Sequence, residues 1–498
     1  MNWPLLLERL SAHIVLSAAA LGLALLIALP LTALMLSRAR TRPAIMGVAS
    51  LIQTIPALAL LALFYPLLLA ARQASGIDVP VLGFLPALLA LTLYALLPIL
   101  RGAVTGLTGV DVDVVEAADG LGMTRGQRLW RVELPLAAPV MMAGVRTAAV
   151  WTIGAATLAT PVGATSLGDF IFAGLQTEDW LGVATGCIAA AALAIVVDLS
   201  LASVEHGLAR GSRRRSWIGV FGLAVVGAAA LLGARPVPVA HPVVVGAKNF
   251  SEQYILAELI AGRLAERGYP VEQRSGLGSA VAFRALAAGD IDVYVDYAGT
   301  LATTVLKRDD NPPLAELTRD LQARTGVGVV GPLGFENAYV LAMRRDVAAR
   351  LRVKSIADLA RVAPGLTLGS DIEFQTRPEW RAVVAAYGLR FGKARAYEPT
   401  FMYRALDSGA ADVISAFSSD GRIAAQGLVV LTDPAHAIPG YDALLLVSPR
   451  RRGDGAFVAA LRPLVDSIPV ERMRAANLTV DRDANKLTAK AAAGMLAR

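Results

Sequence analysis

Tyrosine is spread unevenly along this 498-residue chain: only Tyr65 and Tyr94 precede residue 250. Further on, Tyr297, Tyr339 and Tyr441 fall at expected strand or loop ends near Gly, Asn or Pro. Taken singly, each could be a core ring with a hydrogen-bonded hydroxyl. Gathered at a cleft, rings of this kind suit a ligand cation, which the ring quadrupole attracts most strongly once it is desolvated. Bond-making chemistry has no comparable set of residues. There is no GxSxG, no Walker A loop and no Rossmann glycine set. His241 and His436 lie in proline-rich loops, and the single cysteine, Cys187, sits inside an apolar run. Cys/His metal spacing, a thiol–histidine pair and an intrachain disulfide are all ruled out. The sequence reads as a binding chain with no catalytic residue, no metal and no cofactor of its own.

The elements that would position these rings divide at about residue 235. With 55% hydrophobic residues and a mean hydropathy of +0.55, the chain is too apolar for a soluble protein of several domains. The excess lies in near-uncharged runs at 14–36, 44–71, 85–100, 136–160, 181–204 and 217–232. These predict about six membrane helices, with the second run open to division at Pro56 and Pro66. The first run is longer than the apolar part of a signal peptide, and its basic residues Arg38, Arg40 and Arg42 lie behind it. By the positive-inside rule that end is cytoplasmic and the N-terminus lies outside. Following the chain, Arg125, Arg128 and Arg131 and the cluster from Arg210 to Arg215 fall on the cytoplasmic side, and everything beyond Arg235 lies outside. Arg146 and Asp198 fall within spans, where ionisable groups are costly; mutual pairing is the expectation and a functional role the alternative. Residues 161–180 read as an outer loop rich in small residues, and 235–242 as a stiff, proline-rich connector. The first 240 residues hold fifteen Arg, no Lys and twelve Asp/Glu, and the whole chain is +7. Neither half is basic enough to argue for nucleic acid.

Between the third and fourth runs, residues 115–135 are helical in character with scattered charge. Two short helices joined at Gly122, where positive φ costs little, are expected, with Pro135 opening the next helix. An ordinary cytoplasmic loop is the competing reading. From residue 243 the pattern alternates: strand at 242–246, helix at 251–267, strand at 271–274, helix at 281–288, strand at 291–297, with the rhythm repeated after 366. This predicts an α/β domain with parallel-rich sheets, two lobes, and a ligand cleft beyond the strand C-termini.

Two sets of motifs carry a family resemblance. Glu116-Ala117-Ala118, Gly122 and Val132-Glu133-Leu134-Pro135 resemble the EAA-x3-G-x9-I-x-LP loop of ABC importer permeases, with Val132 in place of isoleucine. Gly163-Ala-Thr-Ser-Leu-Gly168 is similar to the GAGGLG segment of betaine- and methionine-type permeases, with two glycines replaced, which implies a part in an outer gate. In the second half, Gly246-Ala-Lys-Asn-Phe-Ser-Glu-Gln253, Asp296-Tyr-Ala-Gly-Thr300, Leu333-Gly-Phe-Glu-Asn-Ala-Tyr339, Phe417-Ser-Ser-Asp-Gly421 and Pro439-Gly-Tyr441 resemble the motifs of glycine betaine/choline binding proteins from osmoprotectant importers.

The resemblance implies an N-terminal all-α polytopic membrane domain of the ABC importer permease type (1–235), a linker (236–242), and an α/β two-lobed periplasmic-binding-protein-like domain (243–498). It implies a cage for a trimethylammonium group, three of whose four tyrosines carry over as Tyr297, Tyr339 and Tyr441. The fourth, from a YSTDG motif, is Phe417, which keeps the π face and loses the hydroxyl. The family's carboxylate partners carry over as Lys248 or Gln253, Thr300, and Arg377, whose bidentate fork favours a betaine over choline. Glu116, Ala117, Ala118, Gly122, Leu134 and Pro135 would form the coupling loop that sits in a groove of a separate ATPase subunit, which binds the ATP. The implied whole is a quaternary ammonium importer in the bacterial inner membrane, with two copies of the chain per complex and the binding domain extracytoplasmic. Uptake of a larger betaine such as carnitine or ergothioneine is one alternative. A membrane-anchored solute sensor is another, and a sensor would not need the coupling motif.

Overall fold

The structure, a computed structural model, describes residues 3–77, 79–176, 179–233, 242–308, 312–372, 374–438, 440–482 and 484–497. The chain forms two compact units, 1–172 with 181–237 and 238–498 with 173–180. Residues 236–241 of the expected linker, and Pro439 of the last motif, lie outside the described residues.

In the first unit, α1 (Trp3–Ser37) carries the first apolar run. The second run does not stay whole. Pro56 pushes Ile55 out of the helical region, to φ −74° and ψ 127°, so α2 (Arg42–Thr54) ends there and α3 (Ala57–Ser75) starts afresh. Pro66 is carried inside α3. There follow α4 (Phe84–Thr108), α5 (Val112–Gly120), α6 (Arg125–Arg128), α7 (Leu134–Ala156), α8 (Gly168–Gln176), α9 (Trp180–Ala209) and α10 (Arg213–Gly233). Among the described residues, six segments are long and apolar enough to cross a membrane: α1, α3, α4, Arg125–Val162, α9 and Arg213–Leu231.

One local expectation needs correction and another needs extension. Residues 161–180 are not simply a loop, because they contain α8. Pro135 stands in the first turn of α7, as expected, but the helical path begins earlier, at Arg125, where Thr124 and Gln127 form a reciprocal capping box. It then runs through a π-helical turn at Leu129–Glu133, where the Leu134 N–H bonds the Leu129 carbonyl, into α7. The wider turn accommodates a proline that would otherwise clash with the carbonyl four residues back.

Glycine lets α4 and α7 meet closely. A Cβ on Gly144 would stand 2.6 Å from the Pro98 carbonyl oxygen and 2.9 Å from the Gly102 Cα. Arg146 on α7 makes the expected pair, donating from Nε and Nη2 to Asp198 of α9 at 2.5 and 2.9 Å, and it also reaches Glu205 at 3.4 Å.

The described residues of the second unit form two five-stranded sheets. Its strands are β1 (Val243–Lys248), β2 (Val271–Leu277), β3 (Val293–Tyr297), β4 (Gly328–Glu336), β5 (Tyr339–Met343), β6 (Thr367–Ser370), β7 (Lys393–Ala396), β8 (Val413–Phe417), β9 (Val429–Val430) and β10 (Asp442–Val447). The orders are β2-β1-β3-β10-β4 and β7-β6-β8-β5-β9. These sheets are mixed, not parallel-rich. The βαβ strands β1–β3 and β6–β8 are parallel, while β10 opposes β3 and β4, and β5 opposes β8 and β9. The antiparallel strands carry the chain between lobes: β4 leaves the first sheet, β5 enters the second after two residues, and β10 returns. A hydrophobic core that includes Val245, Val295, Leu341, Leu368 and Leu445 lies under both sheets.

Candidate ligand site between the two lobes

Strand register brings the first two rings together. Tyr339 opens β5 and Phe417 closes β8, and the two are cross-strand partners, so their rings lie 4.8 Å apart. Tyr441, just before β10, meets Tyr339 edge-on at 6.1 Å and 87°. Phe250 lies parallel to Phe417 at 6.2 Å and stacks on Tyr297, at the end of β3, also at 6.2 Å. Phe374 also meets Tyr339, tilted, with ring centres 4.9 Å apart. All four rings expected from the sequence therefore belong to one aromatic run, with the three tyrosines buried. Tyr297 joins the others through Phe250.

The polar residues are held differently from one another. The Arg377 guanidinium lies 5.4 Å from the Tyr339 ring centre, and its Nη1 is 3.6 Å from Glu379 Oε1. Gln253 donates to the Val295 carbonyl and to the Tyr297 hydroxyl, both at 3.0 Å, and so fixes that ring. Lys248 forms a buried ion pair with Asp296 and lies 5.3 Å from the Tyr297 ring centre. Thr300 is buried in the first turn after β3, next to Gly299.

Two buried carboxylates at this site were not singled out from sequence. Glu252, on the helix Ser251–Glu266, accepts from the Tyr297 hydroxyl at 2.6 Å and from the side-chain amides of Asn337 and Asn477, each at 2.9 Å. Burial pushes its carboxyl upward, and the hydrogen bonds it accepts pull the other way. Glu379 accepts from the Tyr441 hydroxyl and, at 3.5 Å, from Thr303. Glu252 stands in a quoted motif and Glu379 two residues after Arg377, but residue type alone gives no sign that a carboxylate is buried.

In the first unit, Gly122 takes φ +76° and joins α5 to the Thr124 cap, as expected. Glu116 and Ala117 are exposed, while Ala118 is buried. Arg128 ties α5 to the π turn, reaching Asp119 and Glu133 at 2.6 Å each. Leu121 and Trp130 are exposed beside it, at 79% and 73%.

Two known families match the chain, one in each half. Residues 241–498 match the family described as the substrate binding domain of ABC-type glycine betaine transport systems. Residues 20–210 match the binding-protein-dependent transport system inner membrane component. The chain belongs to the ABC importers of the glycine betaine type. This importer chain joins permease and substrate-binding domain in one multi-pass membrane polypeptide. It is 29% identical over 429 residues to the ergothioneine transport permease/ergothioneine binding protein EgtU of Helicobacter pylori (strain G27), spanning 82% of this chain and 75% of that protein. The choline transport system permease protein OpuBB of Bacillus subtilis (strain 168) is 40% identical over 210 residues, which is 42% of this chain and 91% of OpuBB. Among solved structures, a glycine betaine/carnitine/choline ABC transporter is 25% identical with a TM-score of 0.44, covering 51% of this chain and 96% of that one.

Proposed function

We propose that this importer chain captures a quaternary ammonium compound (glycine betaine, choline or a related betaine) and passes it through its own membrane domain. The aromatic run at the lobe junction carries this reading. Tyr297, Tyr339, Phe417 and Tyr441 hold the trimethylammonium head through their ring faces. Arg377, with Thr300 and Lys248 or Gln253, answers a ligand carboxylate. ATP is hydrolysed on a separate subunit that docks on the 116–135 loop, with two copies of this chain per complex. The basic cluster from Arg210 to Arg215 faces the cytoplasm and the binding domain lies outside. A larger betaine such as ergothioneine is the second reading, favoured by the match to EgtU across both domains.

The test is calorimetry of the full chain in lipid nanodiscs against glycine betaine, choline, carnitine and ergothioneine. At least one of these trimethylammonium compounds should bind and the rest rank by their tails. No heat from any of the four would overturn the reading.

A further inference from the structure

Two rings proposed to hold the ligand cation share a feature. The hydroxyl of Tyr297 donates to Glu252 and the hydroxyl of Tyr441 donates to Glu379. Both glutamates are almost wholly buried, at 2% and 1% exposure. A buried phenol needs an acceptor, but a backbone carbonyl or an amide would serve without taking a charge out of water. Two other buried carboxylates in this domain have cations of their own: Asp296 has Lys248, and Asp420 has Arg422 at 2.7 Å. Among the described residues no ion pair reaches Glu252, whose donors are the neutral Tyr297 phenol, the amides of Asn337 and Asn477, and the Ser419 hydroxyl. Glu379 stands 3.6 Å from Arg377, and its Oε2 is buried without a hydrogen bond. Two buried carboxylates therefore stand behind two rings, one met only by neutral donors and the other by a single cation at 3.6 Å.

We infer that Glu252 and Glu379 are positioning and selectivity residues for a cationic ligand head: each anchors a cage tyrosine through its hydroxyl and sets a negative charge behind that ring. The inference rests on the quaternary ammonium reading above. A carboxylate bonded to a phenol hydroxyl stands about 7 Å from a cation held over the ring face. Coulomb attraction at that distance is worth about threefold in affinity at the dielectric of water and about fiftyfold at an effective dielectric of 20. A neutral ligand of the same shape gains nothing from it. The two glutamates thus act on charge, while the rings and their spacing act on shape.

The experiment compares tetramethylammonium, the head group alone, with tert-butanol, its neutral near-isostere, by calorimetric titration of the full chain in detergent. The wild-type chain should prefer the cation. Glu252→Gln and Glu379→Gln keep shape and hydrogen-bonding capacity but remove charge. Each should cut the cation preference by about threefold to fiftyfold and leave tert-butanol binding unchanged. Should a Gln variant fail to fold, Tyr297→Phe or Tyr441→Phe separates ring from carboxylate and should lower the same ratio. A wild type that holds both probes equally overturns the cage reading, and this inference with it. A wild type that prefers the cation, with variants that keep the ratio or lose both probes alike, leaves the cage standing and overturns the role of the glutamates.

Discussion

Tyr441 lies flat against Gly299, and the contact leaves no room for a side chain. A Cβ there would stand 2.6 Å from two atoms of the ring. The ring cannot swing away cheaply, because its hydroxyl is bound to Glu379. Gly299→Ala should therefore displace Tyr441 and weaken ligand binding roughly tenfold or more, at an overpacking cost of about 1–3 kcal/mol; unchanged affinity in titration would show that Tyr441 is not part of the site. Phe417 and Tyr339 test the cation directly. Alanine at either position should cost tenfold or more, while leucine refills the volume without the quadrupole, worth about 0.5–2 kcal/mol. Leucine variants that bind like wild type would mean an apolar pocket. Glu252 adds a pH dependence. Its folded carboxyl is raised, so the native state holds a proton that the unfolded chain releases, and stability falls as pH rises from the ordinary carboxylate range through the raised value. Glu252→Gln should flatten that fall in a series of thermal midpoints, and an unaltered slope would assign it to another group. A stability penalty at the pH where a charge serves the ligand is the expected cost of a functional site.

Helices show more plainly what a sequence can and cannot convey. Hydrophobic runs located all six spans, because length and apolarity are one-dimensional properties. Pro56 was legible as a break, whereas the π turn before Pro135 was not, since it reflects how a proline is absorbed within a longer helix. In the binding domain the βαβ strands were legible from their alternation. The antiparallel β5 and β10 were missed, because direction is set by where the chain crosses between lobes and leaves no local mark. Of the site, the rings were readable through their motifs; Phe250, Glu252 and Glu379 became visible only through contacts. Two glycines carry predictions at this scale. Gly144→Leu should prise α4 from α7 and abolish a monodisperse peak in detergent chromatography, since the atoms it meets are backbone. Gly154→Leu on the same helix, with nothing within 4 Å, should behave normally. Gly122→Val forces a branched residue to φ +76° and should stop uptake without changing ligand affinity. Gly122→Asn, which tolerates that region, should keep much more activity; equal behaviour of Val and Asn would remove backbone conformation from the coupling.

For the whole molecule, fusion makes capture and delivery intramolecular. Nine residues separate the end of α10 at Gly233 from the start of β1 at Val243. Fully extended, they reach only about 32 Å, whatever path they take. A tether this short would set the effective concentration of one domain at the other in the millimolar range. A weak docking surface then suffices. Cutting the chain within 234–241 should leave both parts intact but collapse ATP-driven uptake in proteoliposomes that contain the ATPase subunit. Free binding domain should restore uptake only as its concentration approaches millimolar. Lengthening the tether fourfold with Gly/Ser residues should lower the effective concentration about eightfold, by the −3/2 power of length, and reduce uptake toward that factor wherever docking is unsaturated. If the cut chain transports at full rate with its binding domain dilute, docking must be tight on its own and the fusion serves only to keep the two parts in equal number. If protease added outside cells spares the second half, the domain is not where the basic loops put it, and the tether cannot be delivering ligand to an outer gate.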